Sequence, residues 1–149
     1  MDHHCIWSNS CIGYFNKKYF ILVVFYSIPL CLLVAAILYP ESRLYIDTMY
    51  YKYTYEWESA LIVAEFVFFV LLSFALILFL RSHISRILEN KTMVEASYPE
   101  IYEAKYDLGS KKNWRQVFGK KNWFLPVKPK LEITRSSLEM SISPNLFTT

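Results

Sequence analysis

Two long stretches of this chain are almost free of charge, and its polar residues gather between and around them. Tyr19 to Tyr39 has no charged residue and is interrupted only by Ser27 and Pro29. Ser59 to Leu80 has one, Glu65, among sixteen Leu, Ile, Val or Phe residues. At ~1.5 Å of rise per residue each stretch makes a helix about 30 Å long, which matches the apolar core of a bilayer. The other reading, two buried helices of a soluble domain, needs a matching apolar shell that the rest of the chain does not contain. The pattern predicts transmembrane helices over 19–39 and 59–80, joined by a loop over 40–58.

Glu65 does not overturn this. Sixteen large apolar residues at about −0.3 to −0.6 kcal/mol each outweigh the roughly 2.5–3.5 kcal/mol of one central acid. Glu65 also sits near the start of its span, where it can reach the interface or bond a neighbouring helix. Pro29 removes one backbone hydrogen bond and predicts a kink in the first span. Lys17 and Lys18 precede the first span, and Arg81, Arg86 and Lys91 follow the second. The connecting segment has Glu41, Asp47, Glu56 and Glu58 against Arg43 and Lys52. The positive-inside rule then puts both termini in the cytosol and the 40–58 loop on the luminal or outer side. Tyr45, Tyr50, Tyr51, Tyr53, Tyr55 and Trp57 suit that loop to a membrane interface.

Composition agrees with a membrane setting. Hydrophobic residues make up 54 % of the chain and charged residues 19 %, on the apolar side of ordinary soluble domains. A net charge of +3 does not call for nucleic acid. Three cysteines are too few and too scattered for a disulfide framework. Cys31, inside an apolar run, is read as packing, and His83 as a surface or headgroup-level side chain. The segment 81–125 is read as cytosolic and interfacial, with Lys111, Lys112, Arg115, Lys120 and Lys121 interleaved with Trp114, Phe118, Trp123 and Phe124. That mixture favours anionic lipid headgroups. Residues 126–149 read as a flexible tail.

The chemistry concentrates at the start, where Asp2, His3, His4 and Cys5 stand side by side. A free thiol is mostly protonated near neutral pH, and an imidazole oriented by a carboxylate is the usual way to activate it. Alone, His-His-Cys is as easily an incidental polar terminus. The run Asp2-His3-His4-Cys5-Ile6-Trp7-Ser8-Asn9-Ser10-Cys11-Ile12-Gly13-Tyr14-Phe15-Asn16 changes that reading, because it resembles the DHHC protein S-acyltransferases (palmitoyltransferases). Trp7, Cys11, Gly13 and Asn16 fall in register with the family's motif, and so does the span that follows. Ile6 replaces the usual Pro and Ser10 the usual Asn. Further along, Asn90 to Glu95 is similar to the family's TTxE motif, with Thr92 and Glu95 in place and Met93 where the second Thr belongs. Asn113 and Phe118 match the Asn and aromatic of its C-terminal motif.

The resemblance, covering residues 2 to about 119, implies a two-step thiol reaction. Cys5 would take a long-chain acyl group such as palmitate from acyl-CoA and pass it to a cysteine of a membrane-associated protein. His3 would be the general base and Asp2 its orienting carboxylate. His4 and Cys11 would be ligands of a structural zinc ion. Thr92 and Glu95 would support the active-site loop, and the missing hydroxyl at Met93 is expected to loosen Asp2. Lys17, Lys18, Arg81 and Arg86 would meet the CoA phosphates, or serve only as positive-inside flanks. The implied setting is an endomembrane (Golgi or endoplasmic reticulum) or the plasma membrane. A redox role for Cys5 fits less well, since its spacing to Cys11 is not that of a C-x-x-C pair.

Family members normally have four transmembrane helices and a cysteine-rich segment just before the DHHC run. Residues 1–18 therefore correspond to the end of that catalytic domain, and the chain to the C-terminal part of such an enzyme. Two zinc ligands do not complete a four-coordinate site. The expected fold is an all-α membrane protein of two antiparallel transmembrane helices, with an irregular N-terminal zinc and catalytic loop and a cytosolic tail. The alternative is a truncated, catalytically inactive membrane fragment or partner-binding subunit.

Overall fold

A computed structural model describes residues 1–52, 57–98 and 107–128. The elements run β1 (His3–Cys5), β2 (Ser10–Ile12), α1 (Lys17–Lys52), α2 (Trp57–Leu88), α3 (Met93–Ser97) and α4 (Ser110–Phe118). They divide into two compact units: one of residues 21–83, the other of residues 1–20 together with those from Ile84 onward.

The first unit is helical throughout its described residues. The rings of Tyr39 and Phe66 meet at 6.0 Å. At ~1.5 Å per residue they lie about 20 Å before the end of α1 and about 14 Å after the start of α2. Contact at such similar distances from the connection makes the pair an antiparallel helical hairpin. Both helices are apolar on every side. Leu30, Leu33 and Ile37 on α1, and Phe68, Leu71 and Phe74 on α2, are each more than half exposed. A helix apolar all round belongs in a large core or a membrane, and both helices are long and apolar enough to cross one. Cys31 is buried, as a packing residue should be.

Two expectations need correction here. Helix α1 does not stop at Tyr39 but carries on through Pro40 to Lys52. The segment is polar without being helix-breaking: Arg43 and Asp47 pair at i,i+4 (3.9 Å). Ser42 and Thr48 fold their hydroxyls back onto the carbonyls of Leu38 and Leu44. Tyr53, Tyr55 and Glu56 lie outside the described residues. His83 is 2 % exposed rather than at the surface, its ring edge-on to Phe79 at 4.5 Å. Imidazole has an apolar body, and an i,i+4 aromatic neighbour gives it somewhere to pack.

The second unit depends on short elements and specific caps. In place of an irregular loop, residues 3–12 form an antiparallel hairpin whose turn, Ile6–Asn9, is closed by the Asn9 amide on the Ile6 carbonyl. Asn9 takes the left-handed conformation (φ 45°), which asparagine tolerates well. Asn16 then fastens the exit of β2: its amide donates to the Cys11 carbonyl (2.9 Å), and its Oδ1 accepts from Gly13 N–H (2.7 Å). Helix α2 ends in a Schellman arrangement. Asn90 has φ 51°, its N–H bonds the Ile87 carbonyl, and Lys91 N–H bonds that of Arg86. Of the 126–149 tail, residues 129–149 are outside the described residues.

Candidate active site

The register of the hairpin sorts the first residues by function. His3 pairs with Ile12, His4 with Cys11, and Cys5 with Ser10. Side chains alternate along a strand, so His3 and Cys5 share one face and His4 shares the other with Cys11. The residues read as catalytic and those read as metal ligands are separated by nothing more than strand pleat.

Asp2, just before β1, is 3 % exposed and fully engaged. His3 Nδ1 lies 3.0 Å from Asp2 Oδ2, and Lys17 Nζ lies 3.2 Å from Oδ1. The Met93 N–H also donates to Oδ1, at 3.0 Å. Burial pushes the Asp2 carboxyl up. The charge of Lys17, the His3 ring, the Met93 amide and the Lys17 hydrogen bond pull it down further, so it sits below the ordinary aspartate value. An ionised carboxylate only accepts hydrogen bonds, so in this contact the His3 ring donates from Nδ1. The ring itself packs edge-on to Phe20 at 5.1 Å.

Cys5 is buried. The Ser8 hydroxyl and the Ser8 backbone hydrogen-bond its sulfur, and these contacts outweigh burial; the Trp7 backbone adds to them. Its pKa is held below the ordinary cysteine value, which favours the nucleophilic form. Ser8 was not among the candidates read from the sequence. A serine in a four-residue turn looks like ordinary turn chemistry, and only the tightness of this turn brings it back to the thiol.

On the other face Cys11 Sγ lies 3.6 Å from His4 Nδ1. Zinc bonds of ~2.3 Å to sulfur and ~2.0–2.1 Å to nitrogen, at tetrahedral angles, set such donors ~3.5 Å apart. The pair therefore fits two corners of a zinc tetrahedron. Among the described residues no third His, Cys, Asp or Glu joins them.

Thr92 and Glu95 form a capping box at the start of α3. Thr92 Oγ1 accepts from Glu95 N–H (3.2 Å), and Glu95 Oε2 accepts from Thr92 N–H (2.7 Å). The cap holds the Met93 amide toward Asp2. Met93 thus reaches Asp2 through its backbone, which any non-proline residue supplies, and a hydroxyl on its side chain is not needed for that bond. Asn113, 1 % exposed, donates to the Leu88 carbonyl (2.7 Å) and Asp107 (2.6 Å) and accepts from Leu108 N–H (3.1 Å). Asp107, which the sequence did not single out, is held below its ordinary value by Asn113 and the Gly109 amide. Phe118, 1 % exposed, stacks on Trp114 at 4.1 Å.

The four candidate phosphate-binding cations divide. Lys17 is tied to Asp2, and Lys18 donates to the carbonyls of Asn122 (3.3 Å) and Val127 (3.0 Å). Arg81 is exposed and Arg86 half-buried on α2.

Residues 1–99 match the DHHC palmitoyltransferase family model. The chain belongs to the DHHC palmitoyltransferase family. Membership and the two apolar helices together make it a membrane protein. Probable protein S-acyltransferase 12 of Arabidopsis thaliana is 36 % identical over 143 residues, covering 93 % of this chain and 49 % of its own. Probable protein S-acyltransferase 14 of the same plant is 39 % identical over 137 residues, 85 % of this chain and 42 % of its own. Palmitoyltransferase ZDHHC2 of Homo sapiens is 35 % identical over 143 residues, 85 % of this chain and 36 % of its own. The chain thus spans half or less of the length of these DHHC relatives. DHHC palmitoyltransferases generally bind zinc and use acyl-CoA, and the His4–Cys11 pair has the donor chemistry for the metal.

Proposed function

We propose that this chain carries the acyl-transfer centre of a protein-cysteine S-palmitoyltransferase. The observation that carries the reading is Asp2 bonded to His3, with Cys5 two residues on along the same strand face. His3 Nε2 takes the Cys5 proton, and the sulfur attacks the thioester carbon of a long-chain acyl-CoA. The carbon–sulfur bond to CoA breaks, CoA thiolate leaves, and the proton returns to it from His3. The acyl group then moves from Cys5 to the thiolate of a cysteine on a membrane-associated substrate protein. Asp2 holds the imidazole in the tautomer that accepts at Nε2 and stabilises the imidazolium.

His4 and Cys11 would hold a zinc ion that ties the hairpin together when bound. Both termini face the cytosol in this reading, where the thiol stays reduced. Arg81, exposed on α2, is the best placed of the four cations to meet CoA phosphates, because Lys17 and Lys18 are already engaged within the protein. The test is hydroxylamine-sensitive labelling by a long-chain acyl-CoA, on this chain and on a version extended by any upstream coding sequence. Labelling that disappears with Cys5→Ser supports the reading. Labelling that survives the substitution sinks Cys5 as the nucleophile, and silence of both versions returns the advantage to an inactive membrane subunit.

A further inference from the structure

The end of the second unit contains a groove that the acyl-transfer chemistry does not use. It is an open depression of about 430 Å³, lined by Leu88, Lys111, Trp114, Arg115, Lys120 and Trp123, among others. The spacing of α4 builds it. Asn113, Val117 and Phe118 face inward and are buried, while Lys111 and Arg115, one turn apart, face out. Trp114 is braced against Phe118, and Trp123 meets Trp114 edge-on at 5.9 Å. The bond from Asn113 to the Leu88 carbonyl fixes α4 to the end of α2.

Charge and position indicate the occupant. Among the described residues three cations line the groove and no acid does. Of the described acids, Glu89 is engaged with Lys91 (2.8 Å) and Asp107 with Asn113 and Gly109 N–H. Leu88 closes α2, whose apolar stretch ends at Leu80, about 12 Å of helix earlier. Tryptophan with an apolar face and a polar edge suits the boundary of a bilayer, and lysine and arginine reach its phosphates from there.

We propose that this groove binds the headgroup of an anionic phospholipid from the surrounding bilayer. Lys111, Arg115 and Lys120 draw the phosphate, and Trp114 and Trp123 pack against the glycerol region. This is a defined site with a saturable ligand, where a diffuse basic patch would show a graded response. It is independent of whether Cys5 is acylated.

The test reads the emission of Trp114 and Trp123 in the full chain, with Trp7→Phe and Trp57→Phe removing the other indoles. The protein is placed in nanodiscs of phosphatidylcholine alone, of phosphatidylcholine with increasing phosphatidylserine, and of phosphatidylcholine with free CoA in solution. The expected result is a saturable emission change with phosphatidylserine only. Arg115→Gln raises the half-saturating fraction about fivefold, the equivalent of ~1 kcal/mol per cation. Replacing Lys111, Arg115 and Lys120 together by Gln abolishes the response, whereas Arg115→Lys keeps it. An unchanged emission with phosphatidylserine, or an undiminished response in the triple Gln variant, overturns the site. A response to CoA without one to phosphatidylserine overturns it too, and makes the groove a nucleotide site.

Discussion

The two units keep their structure by different means. In the helical hairpin of residues 21–83 almost any large apolar side chain serves, because contact with lipid or another helix asks only for hydrophobic area. In the unit of residues 1–20 and 84 onward, single atoms decide. Asp2 is held by three donors and Asn113 by three partners, and α3 exists through one reciprocal cap. The contrast teaches that a membrane anchor tolerates substitution by composition, whereas a polar site built from single hydrogen bonds tolerates almost none.

Substitutions should expose that contrast, the largest effect first. Cys5→Ser is expected to bring acyl-CoA labelling down to background while the helix content seen by circular dichroism stays unchanged. Asn113→Ala strands a buried helix-end carbonyl and the Leu108 amide and is expected to cost about 3 kcal/mol. Denaturant unfolding in detergent would read it, and a loss under 1 kcal/mol would mean water replaces the side chain. Met93→Pro is a cleaner probe of Asp2. Proline is accepted at the first helical position, and the residue before it, Thr92, is already extended (ψ 166°). The variant deletes only the N–H that reaches Asp2, a bond to a charged group worth roughly 1.5–3 kcal/mol, so labelling should slow at least tenfold. Met93→Thr should match the parent, and a gain from it would show that the side chain matters after all. Thr92→Ala removes the cap at about 1 kcal/mol, measurable as a lower unfolding midpoint. Leu71→Ile on the exposed face of α2 should change stability by less than about 0.5 kcal/mol. A larger loss there would erase the contrast between the units.

How much could be read in advance follows the same division. The spans were legible because hydropathy sums over some twenty residues and no single position has to be right. The DHHC run was legible because rare residue types coincide at fixed spacing. The strands β1 and β2 were not, since three residues are too few to display alternation. Lys17 shows the limit most clearly. Its place before an apolar span reads as a flanking cation, yet its stem folds back so that the ammonium meets Asp2. Met93 shows the opposite limit. Its side chain departs from the motif, but the group that reaches Asp2 belongs to the backbone and leaves no trace in residue identity. The helical stretch after Pro40 was missed because polarity was read as loop, although polar residues can be good helix formers.

The bond between Met93 and Asp2 joins residues 91 positions apart, and that separation has a consequence in time. At ~5–20 residues per second a ribosome makes Asp2 about 5–20 seconds before Met93. Both apolar helices are synthesised in that interval. If they enter the bilayer as a pair, residues 2 and 93 finish on the same side; if one fails, they finish on opposite sides and the carboxylate is never completed. A copy in which only one of the two helices crossed the bilayer would be born without its third donor to Asp2.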